Sequence, residues 1–375
     1  VALATLTAAG VAWVTKGRRV WTVTHTLVLV FGGWVALTGL MARDPHVAQP
    51  WMVEYGKIFL MFAASALLIW NAQQVWMLFC MAALVLGYIA YEINYLYLMN
   101  GFLRIQSEGY GGFDNNVAAL MLAMGVPLCY FAWEGGRSRW RWLFLLLIPC
   151  LLHAVLMTYS RGAMVALLVA APLAGWRSRH RSRFAMMGLA VALMLPVLAG
   201  PEIRSRFFSI QEHEQDDSAN ERRHSWGAGW AIACANPVFG VGVRNANLFS
   251  FEHGAAFPGQ TIHSQYLQIA ADNGFVGLGL YLTCLGAVAL DLQRVRRQIA
   301  WRKDPDAVRT RSLVAGIECS LVVFCVGGIF LSLEVFELPY LLLLLGAQLG
   351  PLAHCASMRS HKIIKHVPVA MPASS

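Results

Sequence analysis

Residues 117–133, VAALMLAMGVPLCYFAW, carry no charged side chain, and apolar runs of this kind recur from one end of the chain to the other. Each approaches the ~20 residues that an α-helix needs to cross the hydrocarbon core of a bilayer. That recurrence limits the fold more than any short motif does. Hydrophobic residues fill 58% of the 375 positions and charged residues only 13%, too apolar a balance for a soluble domain of this size. The expected class is an all-α polytopic membrane protein.

By length and hydropathy about eleven spans are expected, near residues 1–15, 20–41, 57–71, 75–99, 116–134, 142–159, 162–176, 184–200, 264–290, 313–333 and 338–355. The apolar pattern is already under way at Val1, so at least one earlier helix is expected, making about twelve or more in the intact protein. No signal peptide is expected, since neither a basic leader nor a cleavage site is evident. The loops alternate in charge. One set holds Lys16, Arg18 and Arg19; Arg137, Arg139 and Arg141; Arg177, Arg179, Arg181 and Arg183; the seven basic residues from Arg294 to Arg311; and Arg359, Lys362 and Lys365. These are 20 of the 29 Lys and Arg residues, and the positive-inside bias makes their side cytoplasmic. Topology therefore accounts for most of the net charge of +9, and no nucleic-acid partner is needed to explain it. Of the eight cysteines only Cys234 falls in a long polar loop, so no intramolecular disulfide is expected there. The chain divides into N-terminal spans (1–115), a core (116–290) with a long, partly helical outer loop at 201–262, and a C-terminal part (291–375). That last part holds a cytoplasmic loop, the last two spans and a basic tail.

The other basic residues are the ones that topology leaves unexplained: Arg43, Lys57, Arg104, Arg161, Arg204, Arg206, Arg222, Arg223 and Arg244. Arg161 opens an apolar run in TYSRGAMVALL, where a guanidinium is costly unless it snorkels to the headgroups or meets an anion. Snorkelling suffices for a lone arginine, and interfacial anchoring suffices for Arg204 and Arg206. Arg222, Arg223 and Arg244 shift the balance for Arg161, because several guanidinium groups at one helix mouth suit a phosphate-bearing ligand. In the outer loop, NERRHSWGAGWAIACAN reads as an amphipathic helix with Trp226 and Trp230 on one face. Asn236-Pro237 breaks it, and GVGVRN turns tightly. The loop is expected to form a small cap partly sunk in the interface.

His263 stands at the mouth of the run that follows, with Asp272 and Asn273 ahead of the apolar stretch. A helix-capping role is the ordinary reading of such a histidine. Beside several arginines, however, an imidazole is held below its usual pKa of about 6.5 and is neutral, the state that a general base needs. Tyr266, three residues on, is expected to share its face and orient it. Metal chemistry finds little support. The one Asp-x-Asp pattern, Asp304-Pro305-Asp306, lies in a cytoplasmic loop. Glu212, Glu214, Asp216 and Asp217 lack the turn and spacing of a metal loop, and no GxSxG, HExxH or Walker pattern occurs.

TYSRGAMVALLVA, ERRHSWGAGWAIACANPVFGVG and HSQYLQIAADNGFVGLGLYL, in that order around one outer loop, resemble the hallmarks of the O-antigen ligase and polymerase superfamily. The resemblance covers roughly residues 115–290. GGFDNNVAALMLAMGVPL resembles the family's Asp-x-Asn start of a preceding helix, which draws in Asn116. Ser264 stands where many relatives have asparagine. The resemblance implies an inverting glycosyltransferase of the bacterial inner membrane that needs neither metal nor other cofactor. It implies a glycan donor on undecaprenyl pyrophosphate and a lipid A-core, glycan or protein acceptor on the periplasmic side. Arg161 and Arg222 would clamp the pyrophosphate, Arg223 competing for the second position. Arg244 would bind there too, and His263 would be the base. Tyr266, Asn116 and Lys57 are the expected supporting residues.

Ligase and polymerase share these motifs, and a protein-glycosylating enzyme does as well. A lipid-glycan transporter is the alternative from another class. It calls for mid-helix charges and paired broken spans, for which Glu92, Glu318 and Glu334 are the only acidic candidates and no repeat is evident.

Overall fold

The computed structural model describes residues 5, 7–9, 21–100, 109–198, 217–333 and 335–365. Among them the regular structure is helical, with one isolated bridge between Tyr110 and Phe113. The helices are α1 (Val23–Leu40), α2 (Pro45–Leu68), α3 (Ala72–Asn100), α4 (Asn115–Gly135), α5 (Arg141–Met157), α6 (Arg161–Arg177) and α7 (Arg181–Leu198). They continue with α8 (Asp217–Ala235), α9 (Gln265–Gln298), α10 (Pro305–Gly327) and α11 (Glu337–Lys365). Six of them, α1 to α4, α9 and α10, are long and apolar enough to cross a membrane. Arg141–Met157 and Glu337–Leu352 are shorter apolar helices.

The expected spans from 20–41 onward each fall on one helix, but not all reach membrane-crossing length and hydropathy. The two spans expected at 162–176 and 184–200 coincide with α6 and α7, which are not among the helices that meet that measure. The span expected at 57–71 is the C-terminal part of a longer helix that starts at Pro45, where Asp44 caps it by accepting from the His46 and Val47 amides. The span expected at 1–15 lies mostly outside the described residues, as do Lys16, Arg18, Arg19, Arg104, Arg204 and Arg206.

α4 is the axle of the fold. Its 21 residues make a rod about 31 Å long, a match to the hydrocarbon thickness of a bilayer, and it is buried on nearly every side. A helix apolar all round belongs in such a position. α3, α5, α6 and α10 pack on it. The closest approaches use small residues: a Cβ at Gly327 would lie 2.3 Å from Leu120, and one at Gly316 would lie 2.5 Å from Phe79. Such residues let helices approach in lipid, where the hydrophobic effect gives no drive to associate.

Contacts separate the two ends of this axle. At the Gly135 end, Glu134 accepts from the Arg179 amide (2.7 Å), Arg137 pairs with Asp306 (2.7 Å), and Arg309 reaches Gln73 (2.8 Å). Three of the basic segments thus meet at one end. Nearby, Glu318 of α10 pairs with Arg177 of α6 (2.9 Å) and with Arg296 of α9, tying three helices together. These two arginines fit the charge bias and also have a packing role that the bias did not suggest. At the other end, Asn115 donates to Thr158 O (3.2 Å), and the segment from α8 to the start of α9 forms the cap.

Candidate functional site

The cap is anchored in a break of α9. Gly274 has φ 71° and ψ 174°, so the helical ladder is interrupted within the ADNG stretch. Carbonyls released by the break are taken by the loop that follows α8: the Val241 amide donates to Ala271 O (3.0 Å) and the Gly242 amide to Asp272 O (2.8 Å). In return Phe275 N donates to Pro237 O (2.8 Å). Glycine is required on both sides of this seam. A Cβ on Gly274 would stand 2.0 Å from Val238 O, and one on Gly240 would stand 2.3 Å from the Asp272 carbonyl carbon.

The two polar residues before the break complete the seam. The Asp272 carboxylate, 1% exposed, accepts from the backbone amides of Arg244 and Ala246 and from Gln268 Nε2, each at 2.9 Å. Asn273 takes the Thr38 hydroxyl on its side chain (2.6 Å) and Trp34 Nε1 on its carbonyl (2.9 Å). Asp272 and Asn273 are thus the mortar between cap, α1 and α9. Arg43 adds a further tie, donating to Asn236 Oδ1 (2.8 Å).

His263 precedes α9 rather than belonging to it. Its φ is 54°, in the left-handed region. The flanks hold it there. Ile262 is fully buried in the cap with Ile232, Val241, Ala246 and Ala271, and the Ser225 hydroxyl donates to its carbonyl (2.9 Å). Trp226 Nε1 donates to His263 O (3.0 Å), and the Gln265 amide to Gly328 O (2.8 Å). Among the described residues the non-glycine positions with positive φ are Tyr159, Arg244 and His263. Tyr159 lies two residues before Arg161, so the three strained positions fall at the three arginine- and histidine-bearing motifs. Such backbone costs about 1–3 kcal/mol at each position and persists only where surrounding contacts impose it.

The imidazole of His263 is held below its usual pKa, first by burial and then by Arg222, with Arg244 adding to the effect and Asp114 opposing it. The ring is neutral around pH 7. The sequence attributed this depression to arginines alone; burial is the larger cause. The same interactions bring Arg222, Arg244, Asp114 and His263 into one electrostatic neighbourhood.

Register within α8 separates the two adjacent arginines. Arg222, Ser225, Trp226 and Gly229 share the face turned to Ile262 and His263, at i, i+3, i+4 and i+7. Arg223 lies on an exposed neighbouring face and donates to Asn220 Oδ1. Trp226 and Trp230 also part: Trp226 is half-buried against Phe330 at a 6.3 Å ring separation, while Trp230 is 57% exposed beside Phe275. Arg244 stacks its guanidinium over Trp51 at 4.3 Å, a cation–π contact. Arg161 is the first residue of α6, and the next residue, Gly162, faces Phe330. Phe330 thus joins the α6 N-terminus, with its partial positive charge, to the α8 face that carries Arg222.

The supporting residues fare differently. Tyr266 donates to Cys325 O (2.7 Å) and so turns toward α10. The expected i,i+3 pairing with His263 fails because His263 lies outside the helix, which Ser264 precedes as N-cap. Lys57 pairs with Glu54 (2.6 Å) on an exposed stretch of α2, and no described contact links it to His263. Asn116 is half-buried and donates to Asn115 Oδ1 (3.1 Å); it is Asn115 that reaches across to Thr158. Trp51 and Phe330 were not singled out by the sequence, and Asp114 entered only as the first residue of the Asp-x-Asn step, with no role assigned to it. Asp114 is the N-cap of α4, accepting from the Asn116 and Val117 amides. Glu212, Glu214 and Asp216 lie outside the described residues, and Asp217 opens α8.

Neutral imidazole, fixed guanidinium groups and a helix N-terminus at one membrane-proximal mouth can accept a proton and stabilise an anionic leaving group. In comparison with known proteins, residues 149–282 match the O-antigen ligase family, a stretch from α5 to the first part of α9 that contains Arg161, Arg222, Arg223, Arg244 and His263. No curated protein matches the chain.

Proposed function

We propose, from the match of residues 149–282 to the O-antigen ligase family, that this protein is an inverting, metal-independent membrane glycosyltransferase. Its donor is a glycan on undecaprenyl pyrophosphate and its acceptor a hydroxyl at the periplasmic face of the inner membrane. The observation that carries this reading is the neutral His263 held in left-handed backbone beside Arg222 and Arg244. The basic end of the bundle is cytoplasmic by the positive-inside bias, so the cap faces the periplasm.

In this reading His263 takes the proton of the acceptor hydroxyl as its oxygen attacks the anomeric carbon. The bond to the pyrophosphate oxygen breaks on the opposite face of the sugar, which inverts the configuration. Arg161, Arg222 and Arg244 bind the pyrophosphate as its charge grows. Fixed guanidinium groups out of bulk water are worth most at that moment, about 2.7–4 kcal/mol for one preorganised donor. The polyprenyl chain stays in the bilayer among the helices.

Glycan polymerase and protein O-oligosaccharyltransferase use the same chemistry on different acceptors. A deletion strain separates ligase from polymerase: accumulation of full-length lipid-linked polymer fits a ligase, and accumulation of single repeat units fits a polymerase. Export of lipid-linked glycan without transfer would sink the enzyme reading. Transport is disfavoured because Glu318 is held between two arginines and Glu92 accepts the Tyr110 hydroxyl (2.6 Å). Glu334 lies outside the described residues.

A further inference from the structure

On the side of α8 turned away from Ile262, an open cleft of ≈ 440 Å³ is lined by Arg223, His224, Gly227, Ala228, His253 and Gly254. Its walls are one guanidinium and two imidazoles. Its floor is made of the smallest residues, and a Cβ on Gly227 or on Gly254 would meet nothing within 4 Å. The His253 ring is oriented by its backbone: Nδ1 lies 2.9 Å from Phe249 O, which makes Nδ1 the donor and turns Nε2 to the opposite side. Arg223 is braced by Asn220. Glu252 adjoins His253 and Glu221 lies two residues before Arg223, but neither lines the cleft. The site chemistry described above uses none of these side chains.

We propose that this cleft binds an anion-bearing sugar, phosphorylated or carboxylated, of the saccharide that receives the transferred glycan. A guanidinium matches phosphate or carboxylate oxygens in a bidentate way. The glycine floor leaves room for a pyranose ring, and imidazole nitrogens serve its hydroxyls. A helix with its side chains is about 10–12 Å across. The cleft therefore stands a short saccharide away from the face that carries Arg222 and faces His263. An acceptor lying across α8 would present its hydroxyl to the base with its charged sugar in the cleft. The proposal rests on the transferase reading for the identity of the saccharide, but not for the binding itself.

The test has a binding arm and a transfer arm. Titration calorimetry on the detergent-purified protein compares a hexose 6-phosphate, a hexuronate, the neutral hexose, inorganic phosphate and glycerol 1-phosphate. Wild type should bind at least one charged sugar about tenfold more tightly than the neutral hexose. Gly227→Leu, which fills the floor with a better helix former, and His253→Ala should each abolish that difference. Transfer to a phosphorylated or uronate-bearing acceptor should show a KM about tenfold higher in these variants, with kcat and the donor KM unchanged. The neutral form of the acceptor should not distinguish them from wild type. Equal binding of charged and neutral sugars, or unaltered binding by Gly227→Leu, overturns the proposal. Inorganic phosphate binding as tightly as the sugar phosphate would reduce the cleft to a simple anion site, and equal binding of glycerol 1-phosphate would assign it to a lipid headgroup. Charge-selective binding by a protein that transfers nothing would leave the cleft standing and defeat the transferase reading. Transfer with one KM for both acceptors would do the reverse.

Discussion

Asp272→Asn tests whether the polar pair ahead of the apolar run builds the site or takes part in the chemistry. The carboxylate accepts two hydrogen bonds on Oδ2, from the Arg244 amide and Gln268, and one on Oδ1, from the Ala246 amide. Asparagine has one oxygen. In the less costly orientation it keeps the pair on Oδ2 and turns its NH₂ toward the Ala246 N–H. One buried donor is then orphaned, at about 1–3 kcal/mol, and each retained bond weakens by roughly 1 kcal/mol as its acceptor loses charge. The local loss is roughly 3–5 kcal/mol, and it falls on the seam between the 237–245 loop and the broken helix. Hydrogen exchange at the Val241 and Gly242 amides, which donate across that seam, reads it directly. At ~1.4 kcal/mol per decade, protection there should fall by about 10²–10⁴-fold. Protection in the half of α4 toward Gly135, at the opposite end of the bundle, should hold. Release of the loop frees the Arg244 guanidinium from its place over Trp51, so the donor KM rises while kcat at saturating donor changes little. Wild-type exchange at both amides combined with a collapse of kcat would refute the seam and move Asp272 into the chemistry.

His263→Ala should lower transfer by about 10²–10⁴, the range for a general base, with donor binding nearly intact. Glutamine should not rescue it, and near-normal transfer by the alanine variant would return the residue to a capping role. Because burial and the arginines depress its pKa, the active neutral form persists to pH values below the ordinary 6.5, and wild-type transfer declines only as pH falls through that lowered value. Arg222→Ala should cost donor use about 10²–10³-fold and also move the acid limb of the profile upward, because a group that lowers the His263 pKa is lost; an unmoved limb would separate Arg222 from His263. Arg161→Ala should weaken donor use and Arg161→Lys should restore only part of it, since a point charge cannot make the bidentate contact; full recovery with lysine would make Arg161 an interfacial anchor. Transfer on purified lipid-linked donor should survive EDTA, and loss of activity rescued by magnesium would overturn the assignment of the leaving group to arginines.

Much of the helical layout was legible because it rests on local signals. Apolar run lengths placed α1, α3 and α4 to within three residues at each end, whereas α10 starts eight residues before the expected span, and Asn236-Pro237 marked the end of α8 to within a residue. The short motifs carried Arg161, Arg222, Arg244 and His263 forward together because each is tied to a recognisable sequence context. What could not be read is set by contacts between distant segments. Arg222 and Arg223 differ only in how α8 is rotated against Ile262. The expected face shared by Tyr266 and His263 assumed helical spacing between them, whereas the helix starts only after Ser264 and a left-handed His263. Asp272 and Asn273 looked like the polar mouth of a span, and their role depends on Gly274, whose φ is imposed by a loop more than 30 positions earlier. Asp114 was visible as the start of the Asp-x-Asn step, but its effect on His263 was not, since that effect crosses between distant segments.

The break at Gly274 also decides how the site answers to the thickness of the membrane around it. A spanning helix adapts to a thinner or thicker bilayer by tilting. In an unbroken α9 that motion would sweep His263 along an arc. Here the ladder ends at the break, and the stub before it is fastened to α10 through the Gln265 amide on Gly328 O and the Tyr266 hydroxyl on Cys325 O. Tilt of the long segment from Phe275 onward is absorbed at one glycine. The spacing between the imidazole and the arginines is therefore expected to be insulated from lipid composition, with the His263 end of the helix held as part of the cap instead of part of the bilayer.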